Sequence, residues 1–126
     1  MSRVRARLLL VDDDGDMRSI LASFLLTTFD VAEACDGHEA ITQLEANTFA
    51  AILTDLVMPR VDGAALVDWI AKNRPHLVAC TFVITGGAAH PRLKAWLATF
   101  DSERVFFKPC DPEAVAARIS ATIAAR

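Results

Sequence analysis

At 126 residues and 53% hydrophobic, the chain is sized for one domain with one core, which argues against disorder; it is read as a single domain over residues 1–126. A net charge of −3 without a basic block argues against an electrostatically driven nucleic-acid binder. No apolar run approaches the ~18 residues a membrane span needs, and Cys35, Cys80 and Cys110, far apart and without CxxC spacing, fit a reducing, cytoplasmic compartment rather than zinc or disulfides.

Leu8 to Val11 is a short continuous apolar run, the pattern of a strand buried on both faces, and it ends in Asp12-Asp13-Asp14. Met17, Ile20, Leu21, Phe24 and Leu25 then recur at helical spacing and predict an amphipathic helix on that stripe. Phe29 to Ala34 reads as a second strand. Asp36 and Glu39 form a capping-box pattern that opens a helix through about Ala46, with Ile41 and Leu44 inward. Ala50 to Leu53 is a third strand delivering one acid, Asp55, before Pro59 ends any ladder.

Asp62 is an N-cap before Gly63, and Leu66, Val67 and Ile70 give the following helix its apolar face up to about Arg74, where Pro75 disfavours continuation. Val78 to Ile84 reads as a fourth strand ending in Thr85-Gly86-Gly87. Leu93, Trp96, Leu97 and Phe100 stripe a helix beginning near Pro91. Val105 to Phe107 is a fifth strand ending in Lys108-Pro109, and Asp111-Pro112-Glu113 starts a last helix striped by Val115, Ile119 and Ile123. Cys80 reads as core, His38, His76 and His90 as surface, Trp69 and Trp96 as packing residues, and Arg3, Arg5 and Arg7 as a solvated basic arm. Five strands alternating with five helices predict an α/β fold with a parallel sheet covered on both faces.

In a parallel sheet all carboxyl ends share one edge. In the flavodoxin-like order 2-1-3-4-5, Asp12, Asp13, Asp55, Thr85 and Lys108 converge there. Carboxylates at ~4 Å repel by roughly 4 kcal/mol per pair at an effective dielectric near 20, so a counter-charge is needed. A hard cation such as Mg²⁺ suits oxygen ligands. Carboxylates with Mg²⁺, a lysine and a hydroxyl make a phosphoryl-transfer site, in which Asp55, alone at its strand end, is the candidate nucleophile and Asp12 and Asp13 hold the metal.

These residues carry a resemblance. Val11-Asp12-Asp13-Asp14, Ala34-Cys35-Asp36-Gly37, Thr54 to Pro59, Asp62-Gly63, Val83-Ile84-Thr85-Gly86 and Phe107-Lys108-Pro109 stand in the order and spacing of the receiver domain of two-component response regulators, from about Leu8 onward. The resemblance implies that Asp55 accepts a phosphoryl group from a histidine of a sensor histidine kinase or histidine phosphotransfer protein. It implies that Asp13 binds Mg²⁺ directly and Asp12 largely through water, and that Asp55 and the backbone carbonyl of Val57 complete the ligands. Thr85 would bond a phosphoryl oxygen, Lys108 would pair with the phosphate, and the Lys108–Pro109 bond would be cis. Such a module is not an enzyme acting on a separate substrate, and the full-length protein could still be a hybrid kinase.

The chain departs from the family pattern at Val105, where an aromatic switch residue is common, and at Val57 and Gly87, which flank the line of water attack and suggest slow self-dephosphorylation. Cys110 stands where Phe is common. Thr85-Gly86-Gly87-Ala88 with Pro91-Arg92 is most similar to receivers of hybrid sensor histidine kinases. The resemblance also points to Arg92 to Arg126 as an output face and a surface for homodimerisation, without contact to nucleic acid or membrane. Two rivals stand beside this reading: an aspartyl-nucleophile phosphatase, for which Asp12-x-Asp14 would be the motif, and a pseudo-receiver that binds partners without accepting phosphate.

Overall fold

The alternation of apolar residues within Leu8 to Val11 decides the layering, because successive strand side chains point to opposite faces. In the computed structural model, which describes residues 5–87 and 90–126, these residues lie in β1 (Arg7–Val11). Leu8 and Leu10 enter one core with Leu53, Phe82, Ile84 and Phe106, whereas Leu9 and Val11 enter the other with Ile52. The chain continues through α1 (Gly15–Leu25), β2 (Asp30–Ala34), α2 (Gly37–Ala46), β3 (Ala51–Asp55) and α3 (Gly63–Asn73). Then come β4 (Thr81–Thr85), α4 (Pro91–Thr99), β5 (Val105–Phe107) and α5 (Pro112–Ala124). All strands are parallel, in the expected order β2-β1-β3-β4-β5.

The helices α1 and α5 cover one face with Ala22, Leu25, Val115 and Ile119. On the other face α2 and α3 supply Ala40, Leu44, Leu66 and Ile70. The α4 helix is held more lightly: Leu93 is its one buried residue among those described, with Trp96, Leu97 and Phe100 half-buried against Leu56, Val67 and Val83. Every residue of β3 and β4 is buried, as two-faced strands require. Full burial of each large apolar side chain contributes about 1.5–3 kcal/mol.

Acids cap four of the helices. The Asp14, Asp36, Asp62 and Asp111 side chains accept main-chain N–H groups of the first turns of α1, α2, α3 and α5, each cap being worth about 1 kcal/mol. His90 does the same for α4 through Nδ1. The capping box of α2 is only half made. The Glu39 N–H donates to Asp36, but the Glu39 carboxylate accepts from the Cys35 thiol instead.

Three expectations are corrected. The fourth strand begins at Thr81, because Pro75–Cys80 winds into a 3₁₀ helix that buries Leu77 and Cys80 and is closed by the Thr81 hydroxyl donating to the Leu77 carbonyl. The inward arc of α1 is Ala22 and Leu25, both buried, with Leu21 partly buried and Arg18 in line with them; Met17, Ile20 and Phe24, expected inside, are each about half exposed. The apolar stripe is wider than the arc the sheet can cover, and the sheet takes its edge with the small Ala22. Arg7 sits over the Phe49 ring and faces Asp30, while Arg5 donates to the Leu26 carbonyl, so these two are less free than a solvated arm. Arg3 and Ala88 lie outside the described residues.

Candidate functional site

Asp12 directly follows β1, and its N–H still donates to the Ala34 carbonyl of β2 at 3.1 Å. Its carboxylate accepts from the Asp14 N–H at 2.9 Å, an Asx turn that folds the acidic loop back over the sheet edge. Asp12 is buried and Asp13 exposed. Asp55 closes β3, buried to 8% exposure. One oxygen from each of Asp12, Asp13 and Asp55 lies within 4.8 Å of the others. The three predicted acids therefore meet, and their oxygen-only donor set is what a small hard divalent cation takes.

Lys108 arrives from the end of β5. Its N–H donates to the Thr85 carbonyl at 2.8 Å, and its ammonium lies 3.4 Å from the Asp55 carboxylate. The Lys108–Pro109 bond is cis, as expected. Thr85, fully buried, stands one residue beyond Ile84, the register partner of Asp55, and its hydroxyl accepts from the Gly87 N–H at 3.2 Å. Gly87 has φ 106°, a conformation that favours glycine. Val57 is half exposed two residues beyond the acid. Val105 is buried.

Burial pushes the Asp55 carboxyl above the usual carboxylate range. The Lys108 ammonium opposes this, and the Asp12 charge adds to it. The site thus holds more negative charge than its one near lysine compensates.

The sequence reading did not anticipate several supports. Gly63 is needed for close approach: a Cβ there would lie 2.4 Å from the Asp55 carbonyl oxygen and 2.7 Å from the Leu56 Cα. Asp62-Gly63 stands among the residues that carry the resemblance, but the close approach that requires glycine is visible only in the fold. Arg60, at φ 65°, pairs with Asp36, and Gly37 packs under Val61, so the loop after β3 is pinned to the start of α2. Asp62 caps α3 with one oxygen and accepts from Arg92 of α4 with the other, at 2.5 Å. Arg18 donates to the Asp12 carbonyl and to Glu33. No local pattern marks these arginines, because each partner is distant in the chain.

The sequence profile of the response regulator receiver domain matches residues 8–120. The chain belongs to that family. The receiver is 30% identical over 118 residues to the transcriptional regulatory protein SrrA of Staphylococcus aureus, a match covering 92% of this chain and 47% of that protein. It is 35% identical over 91 residues to a gliding motility regulatory protein of Myxococcus xanthus, covering 71% and 12% respectively. The chain thus spans less than half the length of these two curated relatives.

Two solved structures share the fold. A CheY-like response regulator receiver domain protein from Methanospirillum hungatei superposes with a TM-score of 0.83 at 22% identity, covering 98% of this chain and 96% of that one. A signal receiver domain of a signal transduction histidine kinase from Syntrophus aciditrophicus gives 0.80 at 24%, covering 95% and 91%. A receiver is a module of two-component signalling. Among the described residues no helix is long and apolar enough to cross a membrane.

Proposed function

We propose that this receiver takes a phosphoryl group onto Asp55 from the phosphohistidine of a sensor histidine kinase or histidine phosphotransfer protein. The meeting of Asp12, Asp13 and Asp55 with Lys108 at one sheet edge carries the reading. An Asp55 carboxylate oxygen forms a bond to phosphorus as the phosphorus–nitrogen bond breaks, and the imidazole keeps that electron pair and takes up a proton. Asp12, Asp13, Asp55 and the Val57 backbone carbonyl would hold Mg²⁺, which supplies charge neutralisation to the transferring phosphoryl oxygens. Lys108, 3.4 Å from the Asp55 carboxylate, would pair with the phosphoryl group, and the Thr85 hydroxyl would donate to one of its oxygens.

Residues 1–126 act in this reading as one receiver unit in the cytoplasm, either relaying phosphate or controlling a partner. The cleft beside Lys108 is lined by Asp12, Met17, Ile20, Pro109 and Pro112, and its apolar wall suits a phosphodonor that brings its histidine in along α1. Val57 and Gly87 offer no polar side chain to orient an attacking water, which favours a long-lived phosphoaspartate. Val105 has no aromatic ring to act as a switch, so any response of Thr85 to phosphorylation would reach a partner by another route.

The deciding experiment is intact mass after incubation with acetyl phosphate, with and without Mg²⁺, beside Asp55→Asn. A gain of one phosphoryl group that requires Mg²⁺ and vanishes in the variant is expected. Folded wild type that gains nothing from acetyl phosphate or from a histidine donor would favour the pseudo-receiver.

A further inference from the structure

Arg18 has no part in the chemistry above, yet it is placed with care. It occupies the inward arc of α1, preceding Leu21, Ala22 and Leu25 at helical spacing, and its side chain is only 20% exposed. A guanidinium so placed is costly unless its donors are met. Two of its five donors are met within the protein: one nitrogen donates to the Asp12 main-chain carbonyl at 2.6 Å, and Nε donates to the Glu33 carboxylate at 3.1 Å. The Glu33 carbonyl in turn accepts from Gln43 of α2 at 2.7 Å. One planar cation therefore ties the acidic loop to the end of β2, which α2 holds from the other side.

The Asp12 carbonyl belongs to the peptide that joins the two acids of the loop. Its plane sets the directions in which the Asp12 and Asp13 side chains leave the chain. The Asx turn from Asp14 fixes the Asp12 carboxylate from one side, and Arg18 fixes the peptide from the other.

We propose that Arg18 is a positioning residue for divalent-cation binding, clamping the Asp12–Asp13 peptide so that both carboxylates meet Asp55. The proposal rests on those three acids being the metal ligands. Charge and position make opposite demands here. As a mere positive charge beside the carboxylates, Arg18 would repel a divalent cation, and its removal would tighten binding. As a clamp, its removal loosens the ligands and weakens binding, by about tenfold for a group that orients metal ligands.

The test is Mn²⁺ affinity at fixed ionic strength, by calorimetry and by electron paramagnetic resonance of the free ion, in wild type, Arg18→Met and Arg18→Lys. The clamp requires Arg18→Met to bind about tenfold more weakly. Lysine keeps the charge but cannot reach both acceptors with a planar fork, so Arg18→Lys is expected between the two, about threefold weaker than wild type. Arg18→Met binding as tightly as wild type, or more tightly, overturns the clamp. Should Arg18→Met fail to fold, Arg18→Lys decides alone, and wild-type affinity there overturns the proposal. Wild type that takes up no Mn²⁺ overturns the metal-ligand reading itself, and the clamp with it, an outcome distinct from both.

Discussion

The two edges of this sheet are built from the same residue types to opposite ends. At the amino edge, arginines finish carbonyls and face acids. Arg7 donates to the Thr48 carbonyl, lies 3.7 Å from Asp30 and covers the Phe49 ring. Arg104 donates to the carbonyls of Val78 and Thr81, pairs with Asp101 and covers the Phe100 ring. At the carboxyl edge three carboxylates converge on one lysine ammonium 3.4 Å from Asp55, and burial raises the Asp55 pKa further. The first edge lowers the energy of the folded chain. The second leaves repulsion in place, to be relieved by whatever binds there.

The largest expected effect that bears on this contrast is Gly63→Ala. Its Cβ would meet backbone rather than a yielding side chain, so the loop under Asp55 has to shift, at about 3 kcal/mol of unfolding free energy in urea. Next is Arg104→Ala, which leaves two carbonyls without their charged donor and should cost about 2 kcal/mol, while phosphoryl uptake by the folded protein stays unchanged. At the other edge, Mg²⁺ at ten times its dissociation constant should raise stability by about 1.4 kcal/mol, and much less in Asp55→Asn.

The same variant tests by pH, without metal, the cost of burying this charge beside Asp12. Because the folded pKa of Asp55 lies above the ordinary 3.8, the native state keeps its proton to higher pH than the unfolded chain. The Asp55 contribution to stability is therefore lost as pH rises through the folded pKa. Asp55→Asn should melt higher than wild type at pH 7, and the gap should close as pH falls toward 3.8. Smallest is Asp30→Asn, which removes a partner of an exposed pair and should move stability by no more than about 0.5 kcal/mol.

The strands and the residues that end them were legible because each rests on local signals: an apolar run, an acid or lysine at its end, a cap and a turn; the sheet order, a long-range property, came only from likeness to flavodoxin-like folds. The face of α1 was not. Met17, Ile20, Leu21, Phe24 and Leu25 span a wider arc than a sheet covers, and periodicity cannot say which edge of that arc turns inward. The start of the fourth strand was also hidden, since Leu77, Val78 and Cys80 are as apolar in a 3₁₀ turn as in a strand. Arg18, Arg60 and Arg92 act across loops of the fold, where hydropathy and spacing carry no information about partners.

The outer strands have a consequence for how copies of this chain meet one another. An exposed strand edge is a template on which a foreign strand can dock. Here β5 is only three residues long and is followed by Pro109, which has no N–H to offer, while β2 carries Asp30 and Glu33, both exposed. A strand arriving at one side finds few bonding groups, and at the other it meets two charged pairs, Asp30 with Arg7 and Glu33 with Arg18. Short length and proline on one side and charge on the other are the features by which sheet edges resist pairing with a further strand.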